Sequence, residues 1–309
     1  MAGGDGLIVR GRTPMATRSR TGRALGGIKP SGALAGVVPF FVYTTVFLII
    51  PTLVVVIGAF LTPQGRPTMS NVSALNQPVF LGALKKSVLL SLATALIGAV
   101  VGGLLAYAIS TSKPNGLLKR FVTSLSGVLA QFGGVALAFA FIASFGMTGL
   151  LTGWLAKLGV DLTGSLWLYE WSKGLMLVYL YFQIPLMVIV FLPAVEGLRP
   201  QWREATESLG GTTWTYWRKV ALPILAPSFV GATLLLFTNA FSAYATVAAL
   251  ITQASPLVPQ QVASTMSSDV IVGQENVGKA MAMAMVVVVA IVMAIYAWID
   301  KRASRWLQR

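Results

Sequence analysis

Six long apolar runs dominate the sequence and constrain its fold more than any other feature. Each run is about 20 residues or longer, which is the length a helix needs to cross roughly 30 Å of hydrocarbon. Helices suit that environment because they satisfy their own backbone polar groups. The sequence therefore predicts an all-α polytopic membrane protein with six transmembrane helices. We place the spans near residues 33–61, 87–110, 121–146, 174–195, 226–251 and 277–299.

The composition agrees with a membrane protein and excludes several kinds of active site. Hydrophobic residues make up 56% of the 309-residue chain and charged residues only 10%, whereas about a quarter of a soluble domain is charged. The chain has no histidine and no cysteine, which excludes imidazole bases, thiolate nucleophiles, disulfides and His- or Cys-ligated metals. We therefore expect no catalytic residue, no cofactor and no metal site in this chain.

Lysine and arginine are distributed unequally between the two sides that six spans define. The N-terminal arm, the loops after the second and fourth spans, and the C-terminal tail hold 17 of the 23 basic residues. The opposite side holds 6. Because basic residues collect on the cytoplasmic side of membrane proteins, both termini are predicted to be cytoplasmic. The same bias explains the net charge of +14, so no nucleic-acid partner is expected.

The pattern divides the chain into three parts. Residues 1–32 are rich in Gly, Ser, Thr and Arg, and they predict a disordered basic cytoplasmic arm. Residues 33–299 form the six-helix transmembrane domain, and residues 300–309 form a basic cytoplasmic tail. The first apolar run is too long for the 7–15-residue core of a cleaved signal peptide. Either Met1 or Met15 is compatible with a start codon.

A charged, amphipathic loop at residues 196–225 connects the fourth and fifth spans. Arg199 precedes a proline and should end the fourth span, and Pro200 suits the first turn of a new helix. Residues 202–209 place apolar side chains on one face of that helix. Gly210 and the glycine after it should stop the helix. A second amphipathic element follows, with tryptophans suited to the headgroup level.

The spacing of residues inside this loop carries a resemblance to a known family. The pattern consists of Glu204, Ala205 and Thr206, then Gly210 after three residues, then Val220, Ala221, Leu222 and Pro223 after nine more. It resembles the EAA loop of ATP-binding-cassette (ABC) importer permeases, the inner-membrane components of binding-protein-dependent transport systems. That family has Glu-Ala-Ala, three residues, Gly, nine residues and Ile-x-Leu-Pro, so Thr206 and Val220 depart from it.

The resemblance implies a fold, a role and a set of partners. The fold is that of a type I ABC importer permease, similar to the methionine permease, with a cytoplasmic coupling helix in the loop. The chain would form half of a translocation pathway beside an identical or different second permease. A dimer of ATPase subunits would hold ATP and Mg²⁺, and an extracytoplasmic substrate-binding protein would deliver the substrate. The residues implied to couple to the ATPase are Glu204, Ala205, Thr206, Leu209 and Gly210.

Two alternatives to this interpretation concern the loop and the energy source. The loop alone could be a helix–turn–helix connector that only follows the membrane surface. A gradient-driven secondary transporter or channel is the alternative function, although none of the nine acidic residues lies inside a predicted span.

Residues 273–280 nearly match a phosphate-binding loop, but Ala280 lacks the hydroxyl that would hold Mg²⁺. An ATPase site in this chain is therefore rejected.

Three side-chain amides lie inside the predicted spans at similar depth. Gln131, Gln183 and Asn239 are each about 10–13 residues from a span end, which corresponds to roughly 15–20 Å. They are candidates to line the translocation path, with Ser242 and Tyr244 near Asn239. The other interpretation is that they form hydrogen bonds between helices. The residues alone leave both open.

The substrate and location follow from the same resemblance. The first span looks similar to that of polyamine, phosphonate, sulfate and iron permeases more than to that of sugar permeases. The resemblance therefore implies a polyamine or a small organic phosphonate or anion as substrate. It also implies a multi-pass subunit of the bacterial inner membrane.

Overall fold

The computed structural model describes residues 30–113, 116–160, 167–170, 172–250, 257–267 and 274–307. Most of the predicted N-terminal arm therefore lies outside the described residues. Within them the regular structure is helical, apart from one isolated bridge between Leu61 and Pro67. The all-α prediction is confirmed for this part of the chain. The α-helices are α1 (Pro30–Thr44), α2 (Ile50–Gly58), α3 (Ser70–Ser73), α4 (Pro78–Ser110), α5 (Leu117–Gln131), α6 (Gly134–Phe145), α7 (Leu150–Lys157), α8 (Gly174–Glu196), α9 (Pro200–Ser208), α10 (Thr213–Tyr216), α11 (Leu222–Ser242), α12 (Ala245–Leu250), α13 (Val258–Met266) and α14 (Glu275–Leu307).

Six stretches of these helices are long and apolar enough to cross a membrane, which confirms the predicted number of spans. They are Val37–Gly58, Pro78–Ser110, Gly134–Lys157, Gly174–Glu196, Thr213–Ser242 and Glu275–Ile299. The chain also separates at Pro51 into two compact units, and the second unit, Thr52–Arg309, contains the last five of these stretches.

The prediction of one continuous third span over residues 121–146 is wrong. Helix α5 ends at Gln131, and α6 begins at Gly134 with a positive φ of 67°. A positive φ is inexpensive only for glycine, so the chain can break at this point without a side-chain clash. The long apolar stretch instead combines α6 with α7 and extends to Lys157.

The fifth predicted span, 226–251, is also shifted and interrupted. Helical structure begins at Thr213 and continues to Ser242, and the chain breaks at Ala243 and Tyr244 before α12. A π-helical turn at Trp217–Ala221 joins α10 to α11 and ends two residues before Pro223. A second π-helical turn, Thr45–Ile49, ends two residues before Pro51. Proline cannot donate the usual backbone hydrogen bond, and a π turn changes the local bonding pattern without ending the helix.

The core of the second unit is formed where α4, α8 and α11 pack together. Two glycines on α4 allow a close approach to α8. A Cβ at Gly102 would lie 2.6 Å from the Cβ of Met187, and one at Gly98 would lie 3.1 Å from the Cβ of Gln183. Small residues at such contacts let helices associate in lipid through packing, because hydrophobic exclusion from water is absent there.

Candidate coupling loop and translocation path

The helix predicted in the loop after the fourth span is α9, and its start follows the expected local rules. Arg199 has extended backbone angles, φ −77° and ψ 130°, because it precedes Pro200. Pro200 occupies the first turn, where its missing N–H group leaves no bond unmade. The N–H of Trp202 then donates to the carbonyl of Arg199 at 3.1 Å. The chain thus changes direction sharply between α8 and α9.

Gly210 ends α9 in the way that its position in the motif predicts. It has a φ of 76°, and its N–H donates to the carbonyl of Glu207 at 3.0 Å. The N–H of Gly211 donates to the carbonyl of Thr206 at 2.9 Å. These two bonds with a left-handed glycine between them form a Schellman motif, which satisfies the last carbonyls of the helix. No other chain atom lies within 4 Å of a Cβ built at Gly210.

The hydroxyl of Thr206, where the related pattern has alanine, is accommodated within the helix. Its Oγ1 donates to the carbonyl of Trp202 one turn earlier, at 2.8 Å. Its methyl group lies against Gly211, where an added Cβ would be only 2.7 Å from Thr206 Cγ2. The departure from alanine therefore leaves no unmet hydrogen bond, and it makes Gly211 as well as Gly210 necessary for the turn.

Thr212 starts the second element of the loop, a role that the sequence analysis missed. Its Oγ1 accepts a hydrogen bond from the N–H of Thr215 at 3.3 Å, which caps α10. The signal was present, since threonine is a preferred N-cap residue and follows two glycines here. Through the π-helical turn, α10 is continuous with α11, so this element is the first part of the fifth span and not a separate surface helix.

The outer surface of the loop combines exposed apolar and charged side chains. Leu209 is 88% exposed and Trp214 is 69% exposed. Glu204 and Ala205 are also exposed. Contiguous exposed apolar side chains with a polar margin are typical of protein-binding surfaces. The structure thus brings the candidate coupling residues together at one end of α9, with Thr206 half-buried behind them.

Two ion pairs lie within the loop and at its base. Arg203 Nε lies 2.9 Å from Glu207 Oε1 along α9, and this carboxylate raises the pKa of Arg203. Lys119 Nζ on α5 lies 2.5 Å from Glu196 Oε1 at the end of α8. The second pair fastens the base of the loop to a different helix. Both pairs are partly exposed, and the Lys119–Glu196 pair contributes about 0–1 kcal/mol.

Gln183 differs from the other polar residues predicted to line a path, because it is fully buried. Its Nε2 donates to Thr94 Oγ1 on α4 at 3.1 Å, and that hydroxyl donates to the carbonyl of Leu90 at 2.8 Å. Among the residues that the structure describes, none forms a hydrogen bond with the Oε1 atom of Gln183. In this structure Gln183 therefore makes the interhelical contact that was the second of the two interpretations.

Gln131, Asn239, Ser242 and Tyr244 are exposed, and they lie beside the two helix breaks. Gln131 is the last residue of α5, and Ser242 is the last residue of α11. Non-helical backbone at membrane depth is tolerated only where protein buries it or where it lines a water-filled space. Exposed polar side chains at such breaks suit contact with a polar solute.

The two helix breaks lie next to each other in space. The Oγ1 of Thr246 donates to the carbonyl of Gly134 at 3.4 Å, and a Cβ at Gly134 would lie 3.6 Å from the Cβ of Ala245. The buried Tyr179 donates from its hydroxyl to the carbonyl of Ala243 at 3.2 Å. Side chains from other helices thus donate hydrogen bonds to backbone carbonyls beside the two breaks. These bonds stabilise the non-helical backbone there.

A cavity of about 610 Å³ lies beside the second break, between α8, α11 and α14. Uncharged polar side chains line part of it, and apolar side chains line the rest. This volume falls within the range of about 300–1,000 Å³ that is usual for small-molecule sites. The polar lining residues are Ser228, Thr238, Asn239, Ser242 and Tyr296.

Comparison with known proteins decides the family. The sequence profile of the binding-protein-dependent transport system inner membrane component family matches residues 98–305. The chain belongs to this family. The match includes α9, both helix breaks and the cavity beside α11. Of residues 273–280, which nearly match a phosphate-binding loop, residues 275–280 lie in the first turns of α14, so this part does not form the loop that a nucleotide site requires.

Similar proteins in this family include transport permeases of two kinds. The sulfate transport system permease protein CysT of Escherichia coli is 28% identical over 175 residues, which are 56% of this chain and 60% of that protein. The chain thus matches about three-fifths of the length of that relative. The spermidine/putrescine transport system permease protein PotB of Haemophilus influenzae is 22% identical over 276 residues, which are 87% of this chain and 93% of that protein.

Solved structures confirm the fold of a type I ABC importer permease. A chain from the crystal structure of a bacterial ABC transporter involved in the import of the acidic polysaccharide alginate aligns with a TM-score of 0.72. Its sequence identity is 17%, and the alignment covers 87% of this chain and 95% of that one. An inward-facing MetNI methionine ABC transporter aligns with a TM-score of 0.50 and 14% identity, over 74% of this chain and 99% of that one.

Proposed function

We propose that the chain is the permease subunit of an ATP-driven importer and that α9 couples it to a separate ATPase subunit. The observation that carries this proposal is the geometry of α9. A short helix is fixed at one end by Arg199 and Pro200 and at the other by Gly210, and it presents Glu204, Ala205 and Leu209 outward. A rigid helix with an exposed apolar end can bind the ATPase subunit there. It can then transmit a displacement of that subunit to α8 and α11.

The proposed orientation places α9 and both termini in the cytoplasm, where ATP is available. The excess of basic residues on that side supports it. An ATPase dimer would bind two such permeases, each presenting its own α9. Closure of the ATPase dimer would move α9, and the Lys119–Glu196 pair and the continuous α10–α11 segment would carry that movement into the spans. An extracytoplasmic binding protein would deliver substrate to the other side.

The proposed path runs along Gln131, Asn239, Ser242 and Tyr244, with Gln183 supporting it from the buried side. Within the described residues, carboxylates occur in loops, on α9 or at the ends of the candidate spans. The side chains that line the cavity are uncharged, so neither a cation nor an anion would meet an opposite charge there. We propose a polyamine or a small organic phosphonate or other small anion as the substrate. The exposed amide of Asn239 can donate a hydrogen bond to an anion's oxygen or accept one from an ammonium group.

Single cysteines test the coupling role and the orientation together, because the chain has none of its own. We expect Leu209→Cys to crosslink to the ATPase subunit and to resist a membrane-impermeant maleimide added outside spheroplasts. Leu158→Cys at the end of α7, which is 62% exposed, is the matched control and should be labelled from outside without crosslinking. Labelling of Leu209→Cys from outside would overturn the proposed orientation.

A further inference from the structure

An apolar groove lies on the surface of the bundle where α4, α8 and α11 meet, close to the loop that contains α9. Its volume is about 540 Å³. Its lining residues lie within the candidate spans, and Tyr107, Val195 and Trp217 lie near the ends of theirs. The lining residues are Val100, Gly103, Leu104, Tyr107, Phe191, Val195, Trp217, Leu222, Leu225, Ala226, Phe229 and Val230.

A glycine makes the groove deep, because it has no side chain, and two aromatic rings form its floor. Phe191 and Phe229 pack edge to face with their centroids 5.5 Å apart. A Cβ at Gly103 would lie 3.2 Å from Cε2 of Phe229, so any larger side chain here would begin to fill the space. Leu104 and Leu222 stand on the rim and are 65% and 51% exposed. The groove is therefore open to a bound molecule from the side of the bundle.

One end of the groove is aromatic and is followed by positive charge. Tyr107 and Trp217 pack edge to face with centroids 5.0 Å apart. Arg218 and Lys219 come directly after Trp217 and are exposed, and no carboxylate of the described residues pairs with either. Tyrosine and tryptophan favour the headgroup level of a bilayer.

We propose that this groove binds an anionic phospholipid, with an acyl chain along the groove and the phosphate at Arg218 and Lys219. The volume suits a small-molecule occupant and is too small for a helix about 10 Å across. Hydrocarbon chains are the apolar molecules that a bilayer supplies at this depth. Basic side chains at the end of a crevice between helices complement a lipid phosphate.

Charge distinguishes this occupant from a second copy of the chain. In a twofold contact through this groove, a second copy would bring its own Arg218 and Lys219 against these exposed basic side chains. A lipid phosphate would instead neutralise them. The bound lipid would also contact Trp217, which joins the loop containing α9 to α11. Its presence would thus stabilise the segment through which a movement of α9 would pass.

Native mass spectrometry of the purified full-length chain, titrated with dioleoyl phosphatidylglycerol or dioleoyl phosphatidylcholine, tests the proposal. Leu104→Trp should fill the groove and remove tight binding of both lipids. Leu96→Trp is the control, because Leu96 is 49% exposed on the same helix and does not line the groove. We expect it to bind both lipids as the unmodified chain does.

The charge variant separates the headgroup from the acyl chain. Arg218→Gln with Lys219→Gln should weaken binding of the phosphatidylglycerol about 30-fold, which corresponds to about 2 kcal/mol, and leave the phosphatidylcholine unchanged. Lys85→Gln with Lys157→Gln removes the same charge elsewhere and should change neither. Unchanged phosphatidylglycerol binding in both Leu104→Trp and the Arg218/Lys219 variant would overturn the proposal. A crosslink between two copies through Leu104→Cys would also overturn it, since a protein would then occupy the groove.

Discussion

Gln183 on α8 donates a 3.1 Å hydrogen bond to Thr94 on α4, and both side chains are fully buried between these two helices. The bond connects residues 89 positions apart in the chain. It lies beside Gly98, whose missing side chain makes room for Gln183. The contact therefore depends on the glycine pattern of α4 as much as on the two polar groups.

We expect Gln183→Met and Thr94→Val to be energetically coupled, because each removes one partner of the same bond. A double-mutant cycle on the unfolding of the purified chain should give a coupling energy of about 0.6–2 kcal/mol. The substrate affinity in an uptake assay should stay unchanged in the single variants. Additive unfolding energies together with a changed substrate affinity would show that Gln183 contacts substrate.

Gly102 should be sensitive to a single added methyl group. A Cβ there would lie 2.7 Å from the backbone oxygen of Ile184, so Gly102→Ala would force α4 and α8 apart. We expect a loss of about 1–3 kcal/mol in the free energy of unfolding. Gly82→Ala on the same helix is the control, because its Cβ would meet nothing within 4 Å, and alanine favours helix by up to about 1 kcal/mol. Equal destabilisation by both variants would contradict the packing described for Gly102.

Asn239→Leu should reduce uptake at least tenfold while leaving membrane insertion and assembly intact. The substitution keeps a similar volume but removes the exposed amide beside the break in α11. Thr238→Val is the matched control in the same cavity, because the hydroxyl of Thr238 already donates to the carbonyl of Leu234 at 3.0 Å. We expect that variant to transport normally. Normal uptake by Asn239→Leu would remove this residue from the path.

Gly210→Val and Gly210→Asn separate backbone geometry from surface contact. Both add a side chain to open space, but only asparagine tolerates the left-handed conformation at φ 76°. Valine should cost about 1–2 kcal/mol and release the end of α9. We expect Gly210→Val to lose ATP-dependent uptake and Gly210→Asn to keep most of it. Full uptake by Gly210→Val would show that the turn is not required for coupling.

The sequence predicted features that depend on neighbouring residues and missed those that depend on distant ones. The bounds of α9 and the role of Gly210 follow from a proline, a glycine pair and an amphipathic pattern within about ten residues. The breaks before Gly134 and after Ser242 occur inside apolar runs that are otherwise continuous. They are stabilised by Thr246 and Tyr179, which come from other helices. No local pattern specifies those partners.

The positions of the polar residues in the spans could be predicted only in part, for the same reason. Counting along predicted spans placed Gln131, Gln183 and Asn239 at one level. It could not tell that Gln183 faces Thr94 inside the bundle while Gln131 and Asn239 remain exposed. Which side of a helix is buried is set by its neighbours, and the spans are apolar on every side.

The central claim is that α9 connects this permease to ATP hydrolysis, and uptake into proteoliposomes tests it most directly. The permease would be reconstituted with its ATPase subunit and binding protein, and labelled substrate would be followed with ATP present or with an imposed ion gradient. We predict uptake that requires ATP, is lost in Glu204→Ala and is unaffected by collapse of the gradient. Uptake that follows the gradient without the ATPase, and persists in Glu204→Ala, would contradict the account.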